Sequence, residues 1–304
     1  MTLLIVAVLS AAHAGSGPWT LSPGDSDYYL GAESRRATAL VNGAGEAGTL
    51  PGGGVSTTGA VGVISVGIVS RVEGTVMLPV YRSRTLDSTD ARCDELGLQA
   101  CAASQGVGAL SVRVKGLLLD ELYGPPLSVA LTGELRLGDL TAPTRARLTA
   151  LGEGTTDVGA FLSAGRSGGF GSEGLWSAFG EAGYRYRFPN ATLDGDPLPG
   201  SELLGSLEAL VGPSPTWIAG PAAYAMFRPQ GFDLEDADLT SAERYVGLSA
   251  ANIHVGGKLI LRSSAQWSVA LSVLRTAWSR NSFGEELIIS AGVGAWRPAA
   301  VGQP

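Results

Sequence analysis

Strict two-residue alternation across residues 105–137 constrains this chain more than any other feature. Leu110, Val112, Val114 and Gly116 alternate with Ser111, Arg113 and Lys115. After a segment containing Gly124, Pro125 and Pro126 the pattern resumes. Leu127, Val129, Leu131, Gly133, Leu135 and Leu137 take one face, and Ser128, Ala130, Thr132, Glu134 and Arg136 the other. A period of two belongs to strands, and the Gly-Pro-Pro turn joins them as an antiparallel hairpin. One apolar face would also suit a soluble sandwich. What separates the two readings is repetition: strands of about 10 residues with this pattern, carried round a closed sheet, are the mark of a transmembrane barrel.

The pattern does repeat. Strands are expected near 28–34, 57–67 and 72–81, then in the hairpin, then near 155–166, 176–188, 201–211, 216–228, 244–261, 266–278 and 285–296. The seventh is the clearest, with Trp176, Ala178, Gly180, Ala182, Tyr184, Tyr186 and Phe188 on one face. Ser177, Phe179, Glu181, Gly183, Arg185 and Arg187 occupy the other. Its bunched aromatics fit an interfacial girdle. Pro221 interrupts the ninth strand and marks an expected bulge. Residues 19–25 read as a Pro/Gly lead-in. Links after even-numbered strands are short and those after odd-numbered ones mostly longer, the asymmetry of short periplasmic turns and longer extracellular loops. The expected fold is therefore all-β: a closed antiparallel transmembrane β-barrel of about 12 strands, with 10 or 14 as alternatives. An even count leaves no exposed edge.

Residues 1–14 form an apolar run ending in Ala12-His13-Ala14, which fits a secretory leader with an A-x-A cleavage site, although no Lys or Arg precedes the run. Residues 15–304 are expected to form a single outer-membrane barrel domain. Beyond the leader no run of about 20 apolar residues exists for a spanning helix. Yet 45% of the chain is hydrophobic and only 16% charged, a balance that lipid-facing strands resolve. The net charge of -7 argues against nucleic acid as a partner. Cys93 and Cys101, close together in one polar segment of an exported chain, are expected to form a disulfide. Their spacing does not suit a metal, and no histidine lies nearby.

Several segments resemble the outer-membrane barrels grouped under the phenol MetA-degradation pathway name, akin to hydrophobic-compound transporters. They are residues 19–24, 67–71 leading to Met77-Leu78-Pro79-Val80, the Cys-bearing loop flowing into 106–110, residues 152–158 and Ser279-Arg280-Asn281. The chain departs from a typical barrel at its end, where residues 297–304 follow Trp296. The resemblance implies a bacterial outer-membrane location and passage of small apolar compounds, and supplies no catalytic residues.

Three functions compete. In a passive channel, Arg113, Lys115, Glu134, Arg136, Glu181, Arg185, Arg187 and Glu208 would line the lumen, because charge at membrane depth is tolerated only there. These groups could equally pair with one another and fill a narrow barrel. A structural or adhesive barrel would instead meet a partner through the Cys93–Cys101 loop and the acidic residues 233–236. A lipid-acting enzyme would need His254 and the nearby Ser249, which no motif frames, so no enzymatic activity and no cofactor is expected. The expected partners are outer-membrane lipid, the barrel-assembly and periplasmic chaperone machinery, and a small apolar solute.

Overall fold

A computed structural model describes residues 17–95, 101–139, 155–188, 200–231, 233 and 249–299. The proposed leader and residues 234–236 of the acidic loop lie outside this set.

Twelve long strands account for the barrel: β1 Ser26–Ala37, β2 Val55–Val69, β3 Val72–Thr85, β4 Ala109–Leu119, β5 Ser128–Asp139 and β6 Asp157–Phe170. The circuit continues with β7 Gly174–Arg187, β8 Glu202–Ser214, β9 Trp217–Arg228, β10 Ala250–Arg262, β11 Trp267–Arg280 and β12 Leu287–Arg297. Each pairs antiparallel with its sequence neighbours. β1 closes the circuit on β12, from Ser26↔Arg297 to Arg36↔Leu287. The strands hold 11 to 15 residues, enough for a tilted strand to cross a bilayer, which needs about 9–11. The twelve-strand count expected from the alternation is the one observed.

Links 70–71, 171–173, 215–216 and 263–266 are tight, and link 120–127, with a turn at Glu121–Tyr123, joins them at one end of the barrel. The strand ends that precede the longer links, Ala37, Thr85, Asp139, Arg187, Arg228 and Arg280, lie at the other end. The ladders slip in register between Gly67 and Val69, Ala109 and Ser111, Leu117 and Leu119, and Ile253 and His254, and two further irregularities stand out. Ser104–Val107 extends the pairing along β3, and the chain then breaks at Gly108 before β4 starts. At Pro221 the expected bulge is displaced. The missing N–H leaves Ala209 and Leu210 out of the ladder, but the register with β8 holds until Val211 and shifts only between Val211 and Ser214. Strand β10 starts at Ala250, and the segment 244–248 expected to open it lies outside the described residues.

The alternation sorts side chains between outside and inside. Outward are Leu30, Ile64, Val76, Leu131, Leu162, Leu207 and Val293, a belt of exposed aliphatics. Aromatics bracket it. Tyr28, Trp217, Trp267 and Trp296 stand toward the short links, and Tyr184, Tyr186, Phe188, Phe227 and Trp278 toward the long ones. Phe227 stacks on Trp278 with ring centroids 5.9 Å apart. An aliphatic belt between two aromatic bands is a surface built for lipid.

A second, three-stranded sheet made of Ala39–Val41, Ala47–Thr49 and Ser282–Gly284 lies at the long-link end. Beneath it Ala37, Leu40, Leu50, Val55 and Phe283 pack with Cys93 and Cys101 in one buried cluster. The two cysteines form the expected disulfide, with Cα atoms 5.6 Å apart. Asp90 accepts from Gly52 N at 2.8 Å, and Arg92 donates to the carbonyls of Thr49 and Leu50. Hydrogen bonds from the side chain and backbone of Arg92 hold the Asp90 carboxyl down at about 2, so it stays ionised at any ordinary pH.

Candidate functional site: the barrel interior

Alternation places one residue in two from each strand inside the barrel, and several of those residues are charged. Glu134 on β5 takes Arg185 Nη2 at 2.7 Å and Ser111 Oγ at 3.1 Å, with Arg113 Nε at 3.8 Å. Arg113 also donates to Glu181 Oε1 at 2.9 Å. Arg185 continues to Glu202 Oε2 at 3.2 Å, and Glu202 Oε1 takes Arg228 Nη2 at 2.7 Å with Arg187 Nη1 at 3.5 Å. Arg187 then faces Asp157 across 3.8 Å, and Asp157 accepts from Arg136 Nη1 at 3.0 Å. Five guanidinium groups and four carboxylates thus form one continuous chain of pairs on the wall from β4 to β9. Phe161 supplies its floor: Arg113 and Arg185 stand 4.8 and 5.8 Å from its ring centroid.

Two smaller groups lie elsewhere in the interior. Lys258 Nζ pairs with Glu208 Oε2 at 2.9 Å, and Tyr224 donates to Glu208 Oε1 at 2.7 Å, all three being buried. Near the long links, Glu286 meets His254 Nε2 at 2.9 Å and Arg35 Nε at 3.2 Å. Apolar side chains fill the space between. One cluster includes Tyr29, Val63, Met77 and Ile260, and the other Phe161, Met226, Leu274 and Ile288.

The chain ahead of β1 also lies against the inner wall, at the short-link end. Lys115 Nζ pairs with Glu73 at 3.1 Å and reaches Gly17 O at 3.4 Å, while Glu73 accepts from Leu21 N at 3.0 Å. Trp19 sets its ring edge-on to Phe179 at 6.0 Å, and its indole N–H donates to Glu121 at 3.2 Å. Gly67 makes room for this segment, since a Cβ there would sit 2.0 Å from Ser22 O. Gly24 N and Gly67 N exchange hydrogen bonds with Gly67 O and Asp25 O. Beside Leu21 is a cavity of about 540 Å³ whose lining includes Asp27, Thr216, Arg262, Gln266 and Ser268. A second, of about 320 Å³, shares Arg262 and reaches Ile218 and Ser177.

The eight charged residues singled out from the sequence all sit on the inward face. Arg113, Glu134, Arg136, Glu181, Arg185 and Arg187 belong to the long network, while Lys115 and Glu208 belong to separate pairs. Sequence reasoning missed Asp157, Glu202, Arg228, Glu73 and Lys258. Parity was the available signal: Glu202 is six residues from Glu208 on one strand and must share its face. The lead-in 19–25 carries no period, and its place inside the barrel was not readable. His254 and Ser249 are not brought together. His254 pairs with Glu286, whereas Ser249 donates to Asp233, which also takes Asn281 Nδ2 at 2.8 Å and Arg280 Nη2 at 2.7 Å. Among the described residues no group of three or more His, Cys, Asp or Glu could hold a metal.

No protein-family model and no curated protein matches the chain. Among solved structures, an outer-membrane channel from Pseudomonas putida F1 aligns with a TM-score of 0.63 at 14% identity, over 93% of this chain and 98% of that one. The NanC porin aligns with a TM-score of 0.50 at 8% identity, over 89% of this chain and 100% of that one. At such identities the likeness is one of fold. This chain shares the barrel of outer-membrane channels and porins, and the family named from its turns remains a resemblance.

Proposed function

We propose that the protein is a passive channel of the bacterial outer membrane that admits small apolar molecules. The short links and both ends of the barrel chain would then face the periplasm, and the long links the outside. Insertion would depend on the periplasmic chaperone and barrel-assembly machinery common to such barrels. The cavity of about 540 Å³ beside Leu21 carries the reading. It lies at the short-link rim, lined by Leu21, by links 215–216 and 263–266 and by the adjoining strand ends, and is of the size that holds a small organic molecule, roughly 300–1,000 Å³. The interior supports neutral cargo. Most of its charges are paired with one another, so they offer little unbalanced field to draw in a strongly charged solute. The resemblance to hydrophobic-compound transporters agrees with this cargo.

The test is uptake into liposomes that hold the refolded full chain. A small aromatic or alkyl solute should enter severalfold faster than into protein-free liposomes, with a sugar of similar size entering much more slowly. Equal entry of the apolar solute with and without folded protein would leave a structural barrel in place of a channel.

A further inference from the structure

Charge on the outward face is distributed unevenly, and the register shows how. Three successive rows cross the adjacent strands β3, β2, β1, β12 and β11 toward the long links. The first, Val80–Ala60–Ala32–Ala291–Leu271, is apolar throughout. The second reads Arg82–Thr58–Ser34–Ile289–Val273, and the third Arg84–Ser56–Arg36–Leu287–Arg275. Arg36, Arg82, Arg84 and Arg275 are all exposed, on the face whose other members are lipid-facing aliphatics. None makes an ion pair or side-chain hydrogen bond among the described residues. The acidic residues of these five strands, Asp27, Glu33 and Glu73, are all buried inside. Glu285, in the link above, is engaged by Thr38 Oγ1 at 2.9 Å. Among the described residues, the large exposed hydrophobics at the same end of the opposite wall include Leu137, Val158, Tyr186, Phe188, Leu203 and Phe227. The basic rows therefore belong to one side of the barrel.

Arginines in this position stand where the hydrocarbon belt ends and lipid headgroups begin. With strands about 4.8 Å apart, the third row spreads over roughly 20 Å. The guanidinium fork suits phosphate oxygens, which it can hold with two parallel hydrogen bonds. Ser34, Ser56 and Thr58 add hydroxyl donors between the arginines. We propose that this wall binds the phosphate groups of lipid A, the phosphorylated lipid of the outer leaflet, through Arg36, Arg82, Arg84 and Arg275. The proposal rests on the outer-membrane reading above and adds a defined lipid site to it.

The experiment uses the full chain refolded in detergent, with folding read as a faster band on an unboiled gel. Retention of lipid A is then measured by native mass spectrometry. The expected result is that lipid A is retained at least tenfold more strongly than the same lipid stripped of its phosphates. Replacing all four residues (Arg36→Gln, Arg82→Gln, Arg84→Gln, Arg275→Gln) should abolish the difference. The Arg166→Gln change, outward but toward the short links, should preserve it. Equal retention of phosphorylated and stripped lipid overturns the proposal, and it does so on the wild type alone should the fourfold variant fail to fold. Inorganic phosphate bound as tightly as lipid A overturns it too, because the site would then serve a free anion. A wild-type chain with no fast-migrating band would overturn the barrel reading itself, and this proposal with it. A folded band without phosphate-dependent retention overturns this proposal only.

Discussion

Glu202 shows what a single residue contributes inside the barrel. Its two oxygens serve Arg185, Arg228 and Arg187, and all four side chains are buried. Taking charges out of water is costly, and their mutual attraction offsets the cost only while every member is present. The Glu202→Gln change keeps the shape but leaves three guanidinium groups short of a counter-charge. It should lower the stability of the refolded barrel by about 3–5 kcal/mol, the usual result of breaking a buried pair. Adding Arg228→Gln should recover part of that loss, because residues in one network do not act additively. Urea midpoints for the two variants decide it, and a loss under about 1 kcal/mol for the single change would show that the pairs do little. Which face each charge occupies was legible in the sequence, because parity along a strand is strict. Partners were legible only between adjacent strands. Arg113 reaches Glu181 from β4 to β7, and Arg185 reaches Glu134 from β7 to β5. Those distances are set by the curvature of the closed sheet, which no local pattern records.

The loop holding Cys93 and Cys101 is the element that ties the cap together. Both cysteines are packed with Leu40, Leu50 and Phe283, so the bridge sits against the cap sheet. Closing so short a loop removes chain entropy worth about 2–3 kcal/mol. That free energy belongs to the cap, since the twelve-strand circuit closes without these residues. Reduction, or the Cys93→Ser/Cys101→Ser pair, should therefore raise the rate of tryptic cleavage at the half-exposed Arg92 by at least tenfold. The temperature at which the barrel loses its fast-migrating form should stay within a few degrees. A matching collapse of that temperature would show that the cap supports the barrel wall. The pairing of these cysteines was readable from their closeness, whereas their place under the cap was not. The cap strands Ala39–Val41 and Ser282–Gly284 are three residues each, too short to show a period. The same limit hid the lead-in before β1, whose backbone is held by contacts from across the interior.

For the molecule as a whole, strand number and closure follow from the chain read end to end. Each two-faced strand is long enough to cross a bilayer, and short and long links alternate, so the chain must weave up and down an even number of times. What the weave leaves undecided is how open the interior is, and one residue gives access to that question. Gly67 sits against the backbone of Ser22 and Leu21, where an added Cβ would lie 2.0 Å from Ser22 O. No rotamer change can relieve a clash with backbone, so Gly67→Val must push the segment from its seat. The contacts of Trp19 with Phe179 and Glu121, and of Leu21 with Glu73, would then weaken together. If that segment narrows the short-link mouth, single-channel conductance in a planar bilayer should rise severalfold while the protein keeps its heat-dependent band. The Gly62→Ala change on the same strand, where an added Cβ meets nothing within 4 Å, should leave conductance unchanged. Folded Gly67→Val protein conducting like the wild type would mean that the constriction lies elsewhere, with the paired charges between β4 and β9 as the next place to look.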